Sequence, residues 1–258
     1  MLEASVLGTI QGITEFLPVS STAHLTIIPP LMGFEYQGRT IDVFLNLGTL
    51  LAIMLFFFKD IIALIVGMFD FVRGKNSGDK EDFITIFLAS LPTIFVGAIV
   101  ELIFDIAIDS TLILLVNLIL FGVILFVSDF SPEEKHHVSR RHAILIGIAQ
   151  TLALVPGVSR LGACLSMARF LKYSRWQSFK FSMILSVPAV AGACTLKLAK
   201  VFAGKIIIND WSFVLMGTVV SFVVGLIALK SMEKYLTKFS YKPLAIYRIL
   251  FCLAVLLF

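Results

Sequence analysis

Charge is scarce in this chain: Asp, Glu, Lys and Arg make up 15% of its 258 residues, against roughly a quarter in a soluble domain. Apolar residues supply 59%, and the mean hydropathy is +0.98. That combination excludes an ordinary soluble domain and points to an integral membrane protein. Cysteine is scarce as well. Cys164, Cys194 and Cys252 all lie in apolar segments without metal-ligand spacing, which argues against a disulfide framework or a zinc site. Each reads as a small buried hydrophobe. The N-terminus lacks a basic n-region and a small-residue cleavage site, so no removable signal peptide is expected. The net charge of +4 does not imply a nucleic-acid partner, because the basic residues lie in loops between apolar segments, where they set orientation in a bilayer.

Apolar runs long enough to span a bilayer, about 20 residues each, fall near Ile41–Phe58, Phe83–Val100, Thr111–Val127, Phe179–Lys200, Trp211–Leu229 and Lys242–Phe258. Two further stretches, 2–29 and 143–171, are apolar but broken in the middle. They resemble one another. Gly8, Gln11 and Ser20 map onto Gly147, Gln150 and Ser159 at a constant offset, and Pro18 and Pro156 stand within one residue of register. Each half is too short to cross, so both stretches read as re-entrant helix–loop–helix hairpins. Irregular backbone at membrane depth is tolerated only where protein or a water-filled cavity covers it.

The expected fold class is therefore all-α: about six transmembrane helices plus two re-entrant hairpins, in an inverted-topology repeat. The first repeat would cover 1–128 and the second 143–258, each a hairpin followed by three spans. An odd number of spans turns the second unit over, and broken helices then meet at the midplane. The loops near 59–82, 128–142, 169–180 and 230–242 carry fifteen of the 21 Lys and Arg residues. The opposite side holds Arg39, Lys197, Lys200 and Lys205, with an acidic stretch at Glu101, Asp105 and Asp109. Basic loops stay cytoplasmic, so the first hairpin would open outward and the second inward.

The polar residues of the hairpins carry the chemistry. Gln11 and Glu15, four apart, share a helix face. Pro18 ends that helix, and Ser20, Ser21 and Thr22 are residue types that cap a new one. His24 follows one turn later. The second hairpin repeats the pattern as Pro156-Gly157-Val158-Ser159-Arg160, with Gly157 allowing close backbone approach. Two helix N-termini aimed at one cavity make an anion site, and the Arg160 fork suits phosphate oxygens. Singly, each feature has a plain explanation: capping serines, a packed histidine, a Glu15–Arg160 pair holding the hairpins together. Their joint occurrence at two matching breaks favours phosphoryl transfer.

These motifs resemble the undecaprenyl-diphosphate phosphatase family of the BacA type, the bacterial bacitracin-resistance proteins. Gln11-x-x-x-Glu15, the run Phe16 to His24, Pro156 to Arg160 and the ending Lys242 to Arg248 carry the likeness, which spans nearly the whole chain. The resemblance implies a multi-pass enzyme of the bacterial cytoplasmic membrane, with its site open to the outer face. It would cleave the terminal phosphate from the C55 isoprenyl diphosphate lipid, recycling the carrier of peptidoglycan synthesis. It places the functional carboxylate, serine, histidine and arginine on Glu15, Ser21, His24 and Arg160. Gln11, Ser20, Thr22, Gly157 and Ser159 would contact substrate, and Glu15 would hold a divalent cation, Mg or Ca. Where the family has Ser after the arginine and Thr three residues beyond, this chain has Leu161 and Cys164.

Two mechanisms stand at this point: attack by Ser21, with His24 moving the proton and Glu15 orienting His24 or a cation, or activation of water by Glu15 and His24. The tail would leave between the spans, past Phe44, Phe56, Phe57 and Phe58, which ordinary lipid contact explains equally well. A membrane transporter or flippase for an anionic or lipid phosphate substrate is the principal rival, because inverted repeats with broken helices are typical of transporters. No Lys and Arg motif precedes a Pro-Ser-Gly-His run, which weighs against a lipid phosphatase of the vanadium-haloperoxidase type. The oligomeric state has no signature in the sequence.

Overall fold

The computed structural model describes residues 1–34, 39–100, 110–135, 137–206, 208 and 210–257. They form α1 (Leu2–Thr14), α2 (Ser21–Leu31), α3 (Arg39–Phe56), α4 (Phe58–Val72), α5 (Gly78–Ile99), α6 (Thr111–Ser128), α7 (Arg140–Thr151), α8 (Arg160–Phe170), α9 (Arg175–Phe202), α10 (Trp211–Leu236) and α11 (Lys242–Val255). The protein is an all-α integral membrane protein. The acidic stretch at Glu101, Asp105 and Asp109 lies outside the described residues.

Helix starts follow the sequence. Ser77, Ser110, Ser174 and Asp210 each accept a hydrogen bond from the backbone N–H three residues on, at the heads of α5, α6, α9 and α10. These oxygens satisfy donors that a helix N-terminus otherwise leaves unpaired.

Six spans are expected from sequence, and among the described residues four helices, α5, α6, α9 and α10, are long and apolar enough to cross, or five if a bent pair counts as one. The bent pair is α3 and α4, which turn by 86° on either side of Phe57. α4 fills most of the stretch predicted as a loop at 59–82. Lys59 and Asp60 interrupt the apolar run there, yet the run resumes with helical spacing. Ile61 and Gly67 face inward, and Phe58, Ile62, Ile65, Phe69 and Val72 are exposed. α11 has 14 residues, about 21 Å at 1.5 Å per residue, short of a roughly 30 Å hydrocarbon core. The four Phe residues considered for the lipid tail divide: Phe44 and Phe57 are core and only Phe58 is strongly exposed.

Both hairpins form as helix–break–helix units. Their arms α1, α2, α7 and α8 have 13, 11, 12 and 11 residues, none long enough to cross alone. Each first arm lies against a long helix from the other half of the chain, α1 on α10 and α7 on α5. Small residues permit the contact, as is common where membrane helices pack closely. A Cβ on Gly8 would stand 2.5 Å from the Gly217 carbonyl oxygen, and one on Gly147 would collide with the Ala89 carbonyl. Gly147→Val should therefore cost about 1–3 kcal/mol by overpacking, seen as a lower unfolding midpoint in detergent. Gly97→Val, where an added side chain meets open space, should leave that midpoint within about 1 kcal/mol, the propensity difference for a helix interior.

Candidate active site

The two breaks meet. α1 ends at Glu15, and the chain turns through Pro18 into Ser20, whose φ of 73° is rare for a residue with a side chain. Ser20 Oγ accepts from Ala23 N at 3.4 Å and starts α2. In the second hairpin a 3-10 turn at Leu152–Leu154 leads through Pro156 and Gly157 to Ser159, whose φ is 68°. Ser159 Oγ accepts from Gly162 N at 3.2 Å and starts α8. Gly157 has φ +87°, and a Cβ there would collide with the Leu114 carbonyl, so only glycine fits.

Between the breaks lies a cavity of about 150 Å³, lined by Thr14, Glu15, Ser20, Ser21, Thr22, Asn46, Gly157, Ser159, Arg160 and Leu161, among others. It is well below the roughly 300–1,000 Å³ of a pocket that encloses a drug-sized ligand. Glu15 organises it. One carboxylate oxygen accepts from Ser21 Oγ at 2.7 Å and from Gln11 Nε2 at 3.1 Å, and the other pairs with Arg160 from the opposite hairpin. The second guanidinium nitrogen, Arg160 Nη1, is buried without a hydrogen-bond partner among the described residues. Gln11 Nε2 also donates to Asn46 Oδ1 at 3.0 Å, and Asn46 is held by its own donation to Asp42 O at 2.8 Å.

The structure thus brings Glu15, Ser20, Ser21, Thr22, Gly157, Ser159 and Arg160 to one cavity, with Gln11 directly behind Glu15. His24 does not line it. Its ring stacks on Phe251 with centroids 4.3 Å apart and on Tyr247 at 5.7 Å. Nδ1 lies 2.8 Å from the Ser20 carbonyl, which can only accept, so Nδ1 carries the proton and Nε2 accepts from the Tyr247 hydroxyl at 2.9 Å. His24 therefore holds the backbone of the Ser20–Ser21 turn, and no hydrogen bond joins it to Glu15 among the described residues. Of the two departures from the family pattern, Leu161 faces the cavity. Cys164 is fully buried away from it, with Sγ 3.9 Å from Gln150 Oε1.

Asn46 and Thr14 are lining residues that sequence reasoning missed. A polar side chain inside an apolar helix was the available signal for Asn46, weaker than a charge.

Fold and site together define a multi-pass membrane protein with an interior polar cavity that gathers a serine, a carboxylate and an arginine. A family model described as Bacitracin resistance protein BacA matches residues 4–254, and the chain belongs to that family. It is 38% identical to an undecaprenyl-diphosphatase of Nocardioides sp., over 96% of this chain and 92% of the relative. It is likewise 38% identical to that of Geobacter metallireducens (100% and 97%) and 33% identical to that of Alcanivorax borkumensis (98% and 97%).

Proposed function

We propose that this chain is an undecaprenyl-diphosphate phosphatase, hydrolysing the C55 isoprenyl diphosphate to undecaprenyl phosphate and inorganic phosphate. The observation that carries the reading is Glu15 bonded at once to Ser21 in its own hairpin and to Arg160 in the other. A hydroxyl on a carboxylate is the nucleophile–base contact, and an arginine fork beside it suits phosphate oxygens. Incoming phosphate displaces Arg160 from Glu15, and the freed carboxylate takes the proton of Ser21. In-line attack by Ser21 Oγ on the terminal phosphorus gives a phosphoserine and the lipid monophosphate. Glu15 returns the proton to Ser21 when water releases inorganic phosphate. The helix N-termini at Ser21 and Arg160 face the charge that develops. His24 acts as a positioning residue, fixing the turn that presents Ser21.

The donor set at Glu15 suits a hard divalent cation. Glu15, Asn46 Oδ1 and Ser21 Oγ are all oxygen, and the buried Gln11 Oε1 has no hydrogen-bond partner among the described residues. Mg²⁺ commonly takes one or two carboxylates and completes its shell with waters and substrate phosphates. Glu15 with Gln11 or Asn46 would hold it, and it would neutralise phosphate charge.

The repeat halves, 1–128 and 143–258, are read as inverted copies. The matching positive φ at Ser20 and Ser159, and the reciprocal packing of α1 on α10 and α7 on α5, support this. The basic loops support a cytoplasmic-membrane enzyme whose cavity opens outward.

Phosphate release from undecaprenyl diphosphate by purified protein, with and without Mg²⁺ or Ca²⁺, tests the function. Ser21→Ala should lower the rate at least a hundredfold. Activity retained in that variant would make water, activated by Glu15, the attacking group. Lipid transport by wild type with no phosphate release would overturn the phosphatase in favour of a transporter.

A further inference from the structure

Arg248, in α11, is fully buried, and among the described residues its hydrogen bonds all go to the main chain. Its guanidinium donates to four main-chain carbonyls: Nε to Leu118 at 3.3 Å, Nη1 to Pro18 at 3.2 Å, and Nη2 to Gly157 at 2.9 Å and Val158 at 3.1 Å. Pro18 is the break of the first hairpin, and Gly157 and Val158 are the break of the second. One planar group therefore joins both interrupted segments and anchors them to α6. Carbonyls left over where helices stop are costly to bury unpaired. A fork with five fixed donors can reach several of them, whereas a lysine ammonium is a compact point charge.

The second observation is electrical. Glu15 is matched by Arg160, and Arg248 forms no ion pair among the described residues. Arginine stays charged in proteins, so among the described residues around the two breaks one positive charge is in excess, inside apolar surroundings that penalise it. The excess sits close to the cavity: Gly157 and Ser159 line it, and a Cβ on Gly162, in the first turn of α8, would stand 2.7 Å from Arg248 Nη1. A bound anion is the natural counter-charge.

We propose that Arg248 is a positioning residue of the headgroup site: its fork locks the two breaks in register, and its charge, held against the cavity-lining Gly157, draws the diphosphate between them. The identity of the anion rests on the phosphatase reading above.

Full-length wild type, Arg248→Lys and Arg248→Gln, purified in detergent, are compared by calorimetric titration with inorganic diphosphate, by phosphate release from undecaprenyl diphosphate and by unfolding midpoint. Lysine keeps the charge without the fork, so it should bind diphosphate within a fewfold of wild type but turn over at least tenfold more slowly. Glutamine should lose a further tenfold or more in diphosphate affinity. A purely structural bolt would not separate the two variants in affinity, and equal diphosphate binding by Lys and Gln overturns the proposal. Gly162→Ala provides a second test should Arg248→Gln fail to fold. It presses on Nη1 without removing charge, and unchanged turnover there overturns the positioning role. Phosphate release without a Lys–Gln difference removes the role of Arg248 and keeps the phosphatase. A Lys–Gln difference in a protein that releases no phosphate does the reverse.

Discussion

Glu15→Gln is expected to slow turnover of undecaprenyl diphosphate by roughly a hundred- to ten-thousandfold, the range for losing a positioned general base, while diphosphate binding tightens. The two effects have opposite signs for one reason. In the structure Glu15 pairs with Arg160 and places a negative charge beside the cavity. An arriving phosphate must displace that pair and approach the carboxylate. Two like charges about 4 Å apart repel by roughly 4 kcal/mol at an effective dielectric of 20, so neutralising one should raise anion affinity about tenfold even after partial screening. Glutamine preserves shape, and its amide oxygen can still accept from Ser21, so the turn stays in place. It cannot take the serine proton. Steady-state kinetics and diphosphate titration of the same preparation check both halves. A Glu15 whose main task is to hold a divalent cation predicts weaker diphosphate binding in the variant. A Glu15 that only bolts the hairpins predicts a lower unfolding midpoint with kcat per folded molecule unchanged. Arg160→Ala should show the opposite pattern, with affinity lost first, because the group removed is the one that receives the phosphate.

The contrast between Glu15 and Arg248 shows what could be read from the chain alone. Both breaks were legible because proline and serine do something specific to a helix: one ends it and the other starts it. The carboxylate and the arginine stood out because ionised groups are rare at membrane depth. Arg248 was just as visible as a charge, but its partners are carbonyl oxygens of Pro18, Leu118, Gly157 and Val158, and every residue has a carbonyl. Nothing in residue type marks which ones a distant helix will meet. His24 was singled out for its type, yet its surroundings come from Tyr247 and Phe251, more than two hundred residues away. The bend at Phe57 escaped because Lys59 and Asp60 resemble the end of a span, whereas the chain turns and continues as α4.

The largest expected loss of stability lies at the far end of the helices from this cavity, at Asp129. Its carboxylate is fully buried and ends α6. Oδ1 accepts from Arg175 Nε at 2.8 Å and lies 3.5 Å from Arg169 Nε. Oδ2 accepts from the Tyr241 backbone N–H at 3.0 Å, at the head of α11. Arg169 is itself only 1% exposed, and it donates to the carbonyls of Tyr173 and Ser131. One carboxylate thus holds the end of α8 and the starts of α9 and α11 to the end of α6. Asp129→Ala leaves a buried guanidinium without its nearest counter-charge and an amide without an acceptor. Removing one partner of a buried pair costs about 3–5 kcal/mol. Glu133 reaches Arg175 at 3.0 Å but is 39% exposed, so Glu133→Ala should cost no more than about 1 kcal/mol. Unfolding in detergent of the two variants beside wild type measures the difference, and equal stability of the two would remove Asp129 as the keystone of this cluster. The consequence reaches the site through α11, whose first turn Asp129 fixes and whose next turns carry Arg248 to the two breaks. Phosphate release by Asp129→Ala should therefore fall at temperatures where the fold of that variant is still largely intact, as α11 loosens before the whole molecule unfolds.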